Sequence, residues 1–228
     1  MRMKHRGKAR KAGTKLILIT LGLVLIVAVG AALVAASILK LAVSIIVILW
    51  LLFSIFAVSF FRDPTPTVPG EKNVVVSPAH GTVDVIDEIE EKQFMGGRCK
   101  RVSIFLSVFD VHVQNAPVAG QVVFLKHTSG QFVNAMRTDS ALHNENVLVG
   151  FNLTDRPGEK VSVRLIAGLI ARRIIPWVVM NDVVEKGERI ALIQFGSRAD
   201  IYLPLNATIQ VKLRDKVVGG QSIVALLG

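Results

Sequence analysis

Two apolar runs constrain this chain before anything else does. The first, "LILITLGLVLIVAVGAALVAASIL", extends from Leu16 to Leu39, and the second, "LAVSIIVILWLLFSIFAVSFF", from Leu41 to Phe61; Lys40 alone separates them. Each is about as long as the roughly 20 residues that a membrane-spanning helix requires. A signal peptide has a shorter apolar region and a small-residue cleavage site, so both runs are expected to be retained anchors. A single continuous helix would be too long for a bilayer. Gly30, Ser37 and Lys40 offer places to turn, with Lys40 reaching the far interface, and a helical hairpin is expected. The preceding segment "MRMKHRGKARKAGTK" holds seven Lys or Arg and no acid, which keeps it on the cytoplasmic side. Two crossings then return the chain, so residues 62–228 are expected at the cell membrane's cytoplasmic face. One tilted span followed by an interfacial helix is the alternative and would place them on the other side.

The formal charge of +10 suggests nucleic acid until it is located. Beyond the basic tail and Lys40, 19 basic residues face 17 acidic ones, so the folded part is near neutral and no nucleic-acid partner is expected. The single cysteine, Cys99, excludes an internal disulfide framework and leaves the redox compartment open.

The chain divides into a basic tail (1–15), a two-helix anchor (16–61), a stiff linker with three prolines (62–73) and one domain (74–228). That domain is mainly β. Short alternating runs such as "NVVVS", "KRVSIFLS", "KVSVRLIAG" and "RIALIQF" are punctuated by Gly, Pro, Asn and Asp. "LIAGLIARRIIPWVV" fits a strand pair or a short helix; its alternation and Pro176 favour strands. Two internal similarities stand out. "SPAHGTVDVI" matches "APVAGQVVFL", and "VVEKGERIALI" matches "KVVGGQSIVAL". Such paired hairpins look like a barrel-sandwich hybrid, the fold of lipoyl and biotinyl domains. The exposed lysine of a swinging-arm carrier is missing.

Few residues offer chemistry. On a strand, Asp110 and His112 of "FDVHV" would share a face, and an Asp can orient an imidazole; a satisfied, half-buried His is the plainer alternative. His80 sits in a turn between strands, and His127 and His143 lie in polar loops. No His, Cys and acid cluster has metal-ligand spacing, so no metal is expected. Arg172 and Arg173 would point to opposite faces of a strand. "FGSR" at residues 195–198 reads first as a tight turn, with Ser197 either a turn residue or a reactive one.

In order along the chain stand "FFRDPTP", "SPAHG", "IFLSVFDVHVQNAPVAG", "NEN", "IAGLIARRI", "EKGERIALIQFGSRADIYLP" and "VVGGQSIVAL". Together they resemble the phosphatidylserine decarboxylase family in its short, membrane-anchored form. The resemblance implies a proenzyme that cuts itself between Gly196 and Ser197 and turns Ser197 into a covalent pyruvoyl cofactor. That group then serves as electron sink while an aminophospholipid headgroup loses carbon dioxide. The lipid would be a phosphatidylserine or its ether-linked archaeal equivalent. By motif, the family's catalytic histidine falls on His112, with Asp110, Asn115 and Arg172 as supporting candidates. The resemblance further implies that the cleaved C-terminal chain stays bound to the rest, and it is compatible with a homo-oligomer. It also gives the hairpin a purpose, holding the linker and domain near lipid headgroups.

Two departures accompany it. Where the family carries Asp in "SPADG", this chain has His80; His80 itself, Asp84 or Asp110 would then activate Ser197. Where longer members carry a second histidine, this chain has Asn115. Two other readings compete: a processing-deficient homologue acting as an anchored structural protein, and a membrane-fusion-type adaptor with a lipoyl-like domain. The adaptor reading needs long heptads that the sequence lacks.

Overall fold

The computed structural model describes residues 7–32, 37–130, 144–168, 173–194 and 197–228. It divides into a helical unit, Gly7–Asp63, and a β unit beginning at Pro64.

The helical unit contains α1 (Lys8–Ala32) and α2 (Ser37–Phe60). Both are long and apolar enough to cross a membrane over Lys8–Gly30 and Lys40–Phe60. The two helices pack on each other. Trp50 Nε1 donates to Thr20 Oγ1 at 2.9 Å, and Thr20 donates in turn to the Leu16 carbonyl at 3.0 Å. Gly13 allows close approach at the other end, because a Cβ there would lie 2.8 Å from Phe61 Cβ. Two details differ from the sequence reading. Helix α1 already begins at Lys8, since "KARKAGTK" contains no residue that stops a helix. Gly30 and Lys40 lie inside the helices, and the connection falls on residues 33–36, outside the described residues.

The β unit is mainly β, as its alternating pattern requires. Its strands are β1 (Val74–Val76), β2 (Gly81–Glu91), β3 (Gly97–Leu106), β4 (Val113–Asn115), β5 (Gly120–Thr128), β6 (Asn146–Leu153) and β7 (Lys160–Ala167). They continue with β8 (Arg173–Pro176), β9 (Val183–Val184), β10 (Arg189–Gln194), β11 (Ser197–Leu203), β12 (Thr208–Ile209), β13 (Lys216–Val217) and β14 (Ile223–Leu226). One sheet has the order β13-β2-β3-β11-β7-β6-β5-β9; two small sheets have the orders β1-β14-β12 and β4-β10-β8. All pairings are antiparallel.

These orders are palindromic. Exchanging β13 with β9, β2 with β5, β3 with β6 and β11 with β7 reproduces the large sheet, and the same exchange maps one small sheet onto the other. The two internal similarities in the sequence are the trace of this. Gly81 pairs with Val217 as Gly120 pairs with Val184. A register shift follows Val83 and another follows Val122. Val76 N donates to the Pro117 carbonyl, and Asn115 N donates reciprocally to the Pro78 carbonyl. Among the described residues, the two non-glycine residues with positive φ also correspond: Asn181 at 72° and Arg214 at 74°, each in a turn closed by the next Asp, Asp182 or Asp215.

One half is therefore continuous, β4 to β10. The other is split, with β1–β3 before it and β11–β14 after it. The continuous half is inserted between β3 and β11; one short seam connector, 107–112, leads into it, and the other, 195–196, lies outside the described residues.

The core lies between the large sheet and the small ones. Val102, Ile104, Val163, Leu165, Ala199 and Ile201 from the large sheet meet Val75, Ile190, Ile193 and Val224. Each fully buried branched side chain contributes about 1.5–3 kcal/mol. The other face of the large sheet is also covered where the β2–β3 hairpin curls over it. Phe94 lies so close to Gly150 that any Cβ there would be 2.7 Å from its ring. Cys99, Leu148 and Tyr202 form a small second core beneath.

Candidate active site

Strand β11 is central in the large sheet and buried along its whole length. Alternation sends Ala199, Ile201 and Leu203 into the core and Arg198, Asp200 and Tyr202 to the opposite face. Its first residue, Ser197, pairs with Leu106 of β3 on one side and Ala167 of β7 on the other. Ser197 is fully buried, and its Oγ has no hydrogen-bond partner among the described residues. A turn serine normally bonds its own backbone. This one begins a strand and leaves a buried hydroxyl uncommitted, at a cost of about 1–3 kcal/mol. Gly196 lies outside the described residues.

The first seam connector leaves β3 at Leu106, opposite Ser197, and reaches β10, where Ile193 N donates to the His112 carbonyl at 3.1 Å. It thus runs beside the end of β10 and carries Asp110 and His112 with it. The expected shared strand face is not formed, because residues 107–112 make a turn and β4 begins only at Val113. The Asp110 carboxylate closes that turn, accepting from Ser107 N and Ser107 Oγ at 2.8 Å each. What orients the imidazole is instead the Asp110 carbonyl, 2.9 Å from His112 Nδ1. A carbonyl only accepts, so Nδ1 carries the proton and Nε2 is the basic nitrogen of the neutral ring. His112 is fully buried, and Gln114 Nε2 donates to its carbonyl at 3.0 Å.

His80 and Asn115 come together at Gly219. A Cβ on Gly219 would lie 2.8 Å from Asn115 Oδ1 and 3.0 Å from His80 Cδ2. Asn115 Nδ2 donates to the Gly187 carbonyl at 2.9 Å. His80 immediately precedes Gly81 at the start of β2, one strand beyond β3 from Ser197. Of the other carboxylates considered for activating the serine, Asp84 is engaged by Arg198 across the sheet. Burial raises the Asp84 carboxyl above the usual range, and the Arg198 charge opposes that rise. Arg172 lies outside the described residues.

Two features that the sequence motifs contained were given no role from sequence. The "NEN" segment braces the end of β7 opposite Ser197: Asn144 Nδ2 donates to the Ala167 carbonyl at 2.7 Å, and Asn146 Nδ2 to the Asn144 carbonyl at 3.0 Å. Arg198 was read only as part of the "FGSR" turn, yet its side chain is 1% exposed.

A family model described as phosphatidylserine decarboxylase matches residues 53–225. The chain belongs to the phosphatidylserine decarboxylase family. It is a decarboxylase, a carboxy-lyase, by that membership. It is 41% identical over 180 residues to a phosphatidylserine decarboxylase proenzyme of Desulfotalea psychrophila, covering 79% of this chain and 83% of that one. Identity to the proenzyme of Symbiobacterium thermophilum is 42% over 174 residues, 76% of this chain and 80% of that one. For Zymomonas mobilis it is 42% over 177 residues, 75% and 71% respectively. The matched range includes both seam connectors, so the adaptor reading loses its basis.

Proposed function

We propose that this decarboxylase is made as a proenzyme, opens its own backbone between Gly196 and Ser197, and then converts a phosphatidylserine-type lipid into the phosphatidylethanolamine-type lipid. The observation that carries the reading is the buried, uncommitted Ser197 hydroxyl at the head of a central strand. A hydroxyl kept out of structural bonding fits a side chain consumed in forming a pyruvoyl group.

In this reading Ser197 Oγ attacks the Gly196 carbonyl carbon, the C–N bond breaks, and an ester replaces the amide. Loss of the Ser197 Cα proton with cleavage of the Cβ–Oγ bond releases the upstream chain as a carboxylate. Water then displaces ammonia from the resulting dehydroalanine, leaving a pyruvoyl group at residue 197. Once present, that group supplies a carbonyl able to take up the headgroup amine and accept the electron pair left by departing carbon dioxide. His112, with Nδ1 fixed on the Asp110 carbonyl, offers Nε2 to hold the proton delivered to the substrate Cα. Asp110 keeps the connector turn closed and so sets the ring's position. Asn115 holds the Gly187 turn beside His80, and His80 takes the Ser197 proton during processing. The two apolar helices anchor the enzyme in the membrane that contains its substrate, with the β unit on the cytoplasmic side.

Intact mass under denaturing conditions tests the reading. Two chains are expected, the smaller beginning at position 197 and lighter than its serine form by one ammonia. A single chain of 24.8 kDa would overturn it. His80→Ala is expected to slow the split; processing at the normal rate removes His80 from the mechanism.

A further inference from the structure

Building on the proposed cut, the small chain 197–228 would start at Ser197, and nothing covalent would then fix the register of β11 between β3 and β7. The core face of β11 specifies that register poorly. Ser197, Ala199, Ile201 and Leu203 alternate with period two, so a slip of two residues still sends apolar side chains inward. The other face differs. Arg198 is 1% exposed and engages Asp84 of β2. Asp200 is fully buried, directly opposite Ser103 and Arg164, with Arg101 Nη1 at 3.9 Å. Arg164 lies over the Tyr202 ring, 5.7 Å from its centroid. Arg101 and Arg164 are themselves held by Asp87 at 2.6 Å and Glu91 at 3.2 Å.

A two-residue slip in one direction would put Arg198 opposite Arg164. A slip in the other direction would put Asp200 beside Asp84. The first sets two shielded cations against each other, and the second sets the buried Asp200 against Asp84, whose side chain is 29% exposed; both are unfavourable, the first more so. We propose that the alternating charges Arg198 and Asp200, set against Asp84 and Arg164, are a register lock that keeps residue 197 in place after the backbone opens. Arg198 and Asp84 are positioning residues in this scheme: they face away from the Ser197 side of the strand and act only through β11.

Hydrogen exchange on Asp84→Asn, in the full chain and in the background of Ser197→Ala, tests the lock. In split protein, Asp84→Asn is expected to speed amide exchange in residues 198–201 by about 10-fold or more relative to wild type. In the unsplit Ser197→Ala background, where β10 still tethers β11, the same change is expected to have little effect. The split Asp84→Asn enzyme should lose about 10-fold or more in kcat with little change in KM, and Asp84→Glu should recover most of it. Equal acceleration in split and unsplit protein would reduce the pair to ordinary stabilisation and overturn the proposal. Failure of Asp84→Asn to split would also overturn it, because the pair would then act before the cut. Wild-type protein remaining one chain would instead count against the cleavage reading on which this rests.

Discussion

The continuous and split halves of the β unit share a frame and differ in content. Both carry a Pro-x-x-Gly entry to a long strand, a register shift after the valine two residues beyond that glycine, and a positive-φ turn closed by Asp. Position by position, the continuous half has Ala119 where the split half has His80. Asn73 stands where His112 stands, and its carbonyl accepts from Leu227 N much as the His112 carbonyl accepts from Ile193 N. Val76 occupies the place of Asn115. In the continuous half, β6 and β7 are joined by the plain hairpin 154–159; in the split half, the corresponding gap between β3 and β11 is where the inserted half enters and leaves. The candidate residues gather where the symmetry is broken. A duplicated frame supplies stability twice, and the seam where one copy interrupts the other is free to place buried polar groups, drawn from both copies, that the frame does not need elsewhere.

The largest expected contrast lies at those two gaps. Ser197→Ala should give a single chain with no turnover above background, read by intact mass and by release of carbon dioxide from lipid. Asp155→Asn in the opposite hairpin removes only an exposed contact with Lys72, and it should leave processing and turnover within about twofold. Next comes His112→Ala, expected to lower the decarboxylation rate by about 10²–10⁴-fold. Its counterpart Asn73→Ala leaves the backbone bond intact and should cost little; an equal loss in both would break the comparison.

The two entry glycines sharpen it further. A Cβ would lie 2.2 Å from the Phe105 carbonyl oxygen at Gly81 and 2.5 Å from the Asn152 carbonyl oxygen at Gly120. Both Gly→Ala changes should destabilise by about 1–3 kcal/mol in urea unfolding. Only Gly81→Ala, at the Ser197 end of the sheet, should also slow the split. The smallest effect concerns Cys99. Burial, aided by the Glu91 charge, pushes its thiol up to about 11. The thiolate, the reactive form, therefore appears only as pH rises toward that value. At pH 8 native Cys99 should react with iodoacetamide on the order of 10²-fold more slowly than in urea, without change in turnover before unfolding.

Much of this was legible in the sequence. The helices follow from hydropathy length, and the strands from alternation between turn residues. The paired similarities foreshadowed the duplicated hairpins, although not that one copy is inserted in the other, since insertion leaves no local signal. His112, Ser197 and Asn115 were readable through the ordered motifs. The geometry at Asp110 was not: strand periodicity places its carboxylate beside the imidazole, whereas Ser107 offers two nearer donors and the chain turns there instead. The role argued for Arg198 was hidden for a related reason. A charged residue in a strand reads as solvent-facing, whereas this one is almost wholly buried in a central strand.

The insertion also bears on how such a protein would be made and lost. Before the proposed cut, β11 to β14 belong to one chain with β1 to β3, so their meeting is intramolecular and benefits from a tethered concentration on the order of millimolar. After it, the same strands on β2, β1 and β3 hold two separate molecules together. Assembly would then obey a second-order law, and the fragment of 32 residues, once released into a dilute cell, would have no return path. The precursor alone would carry the instructions for folding, and each mature molecule would be assembled only once.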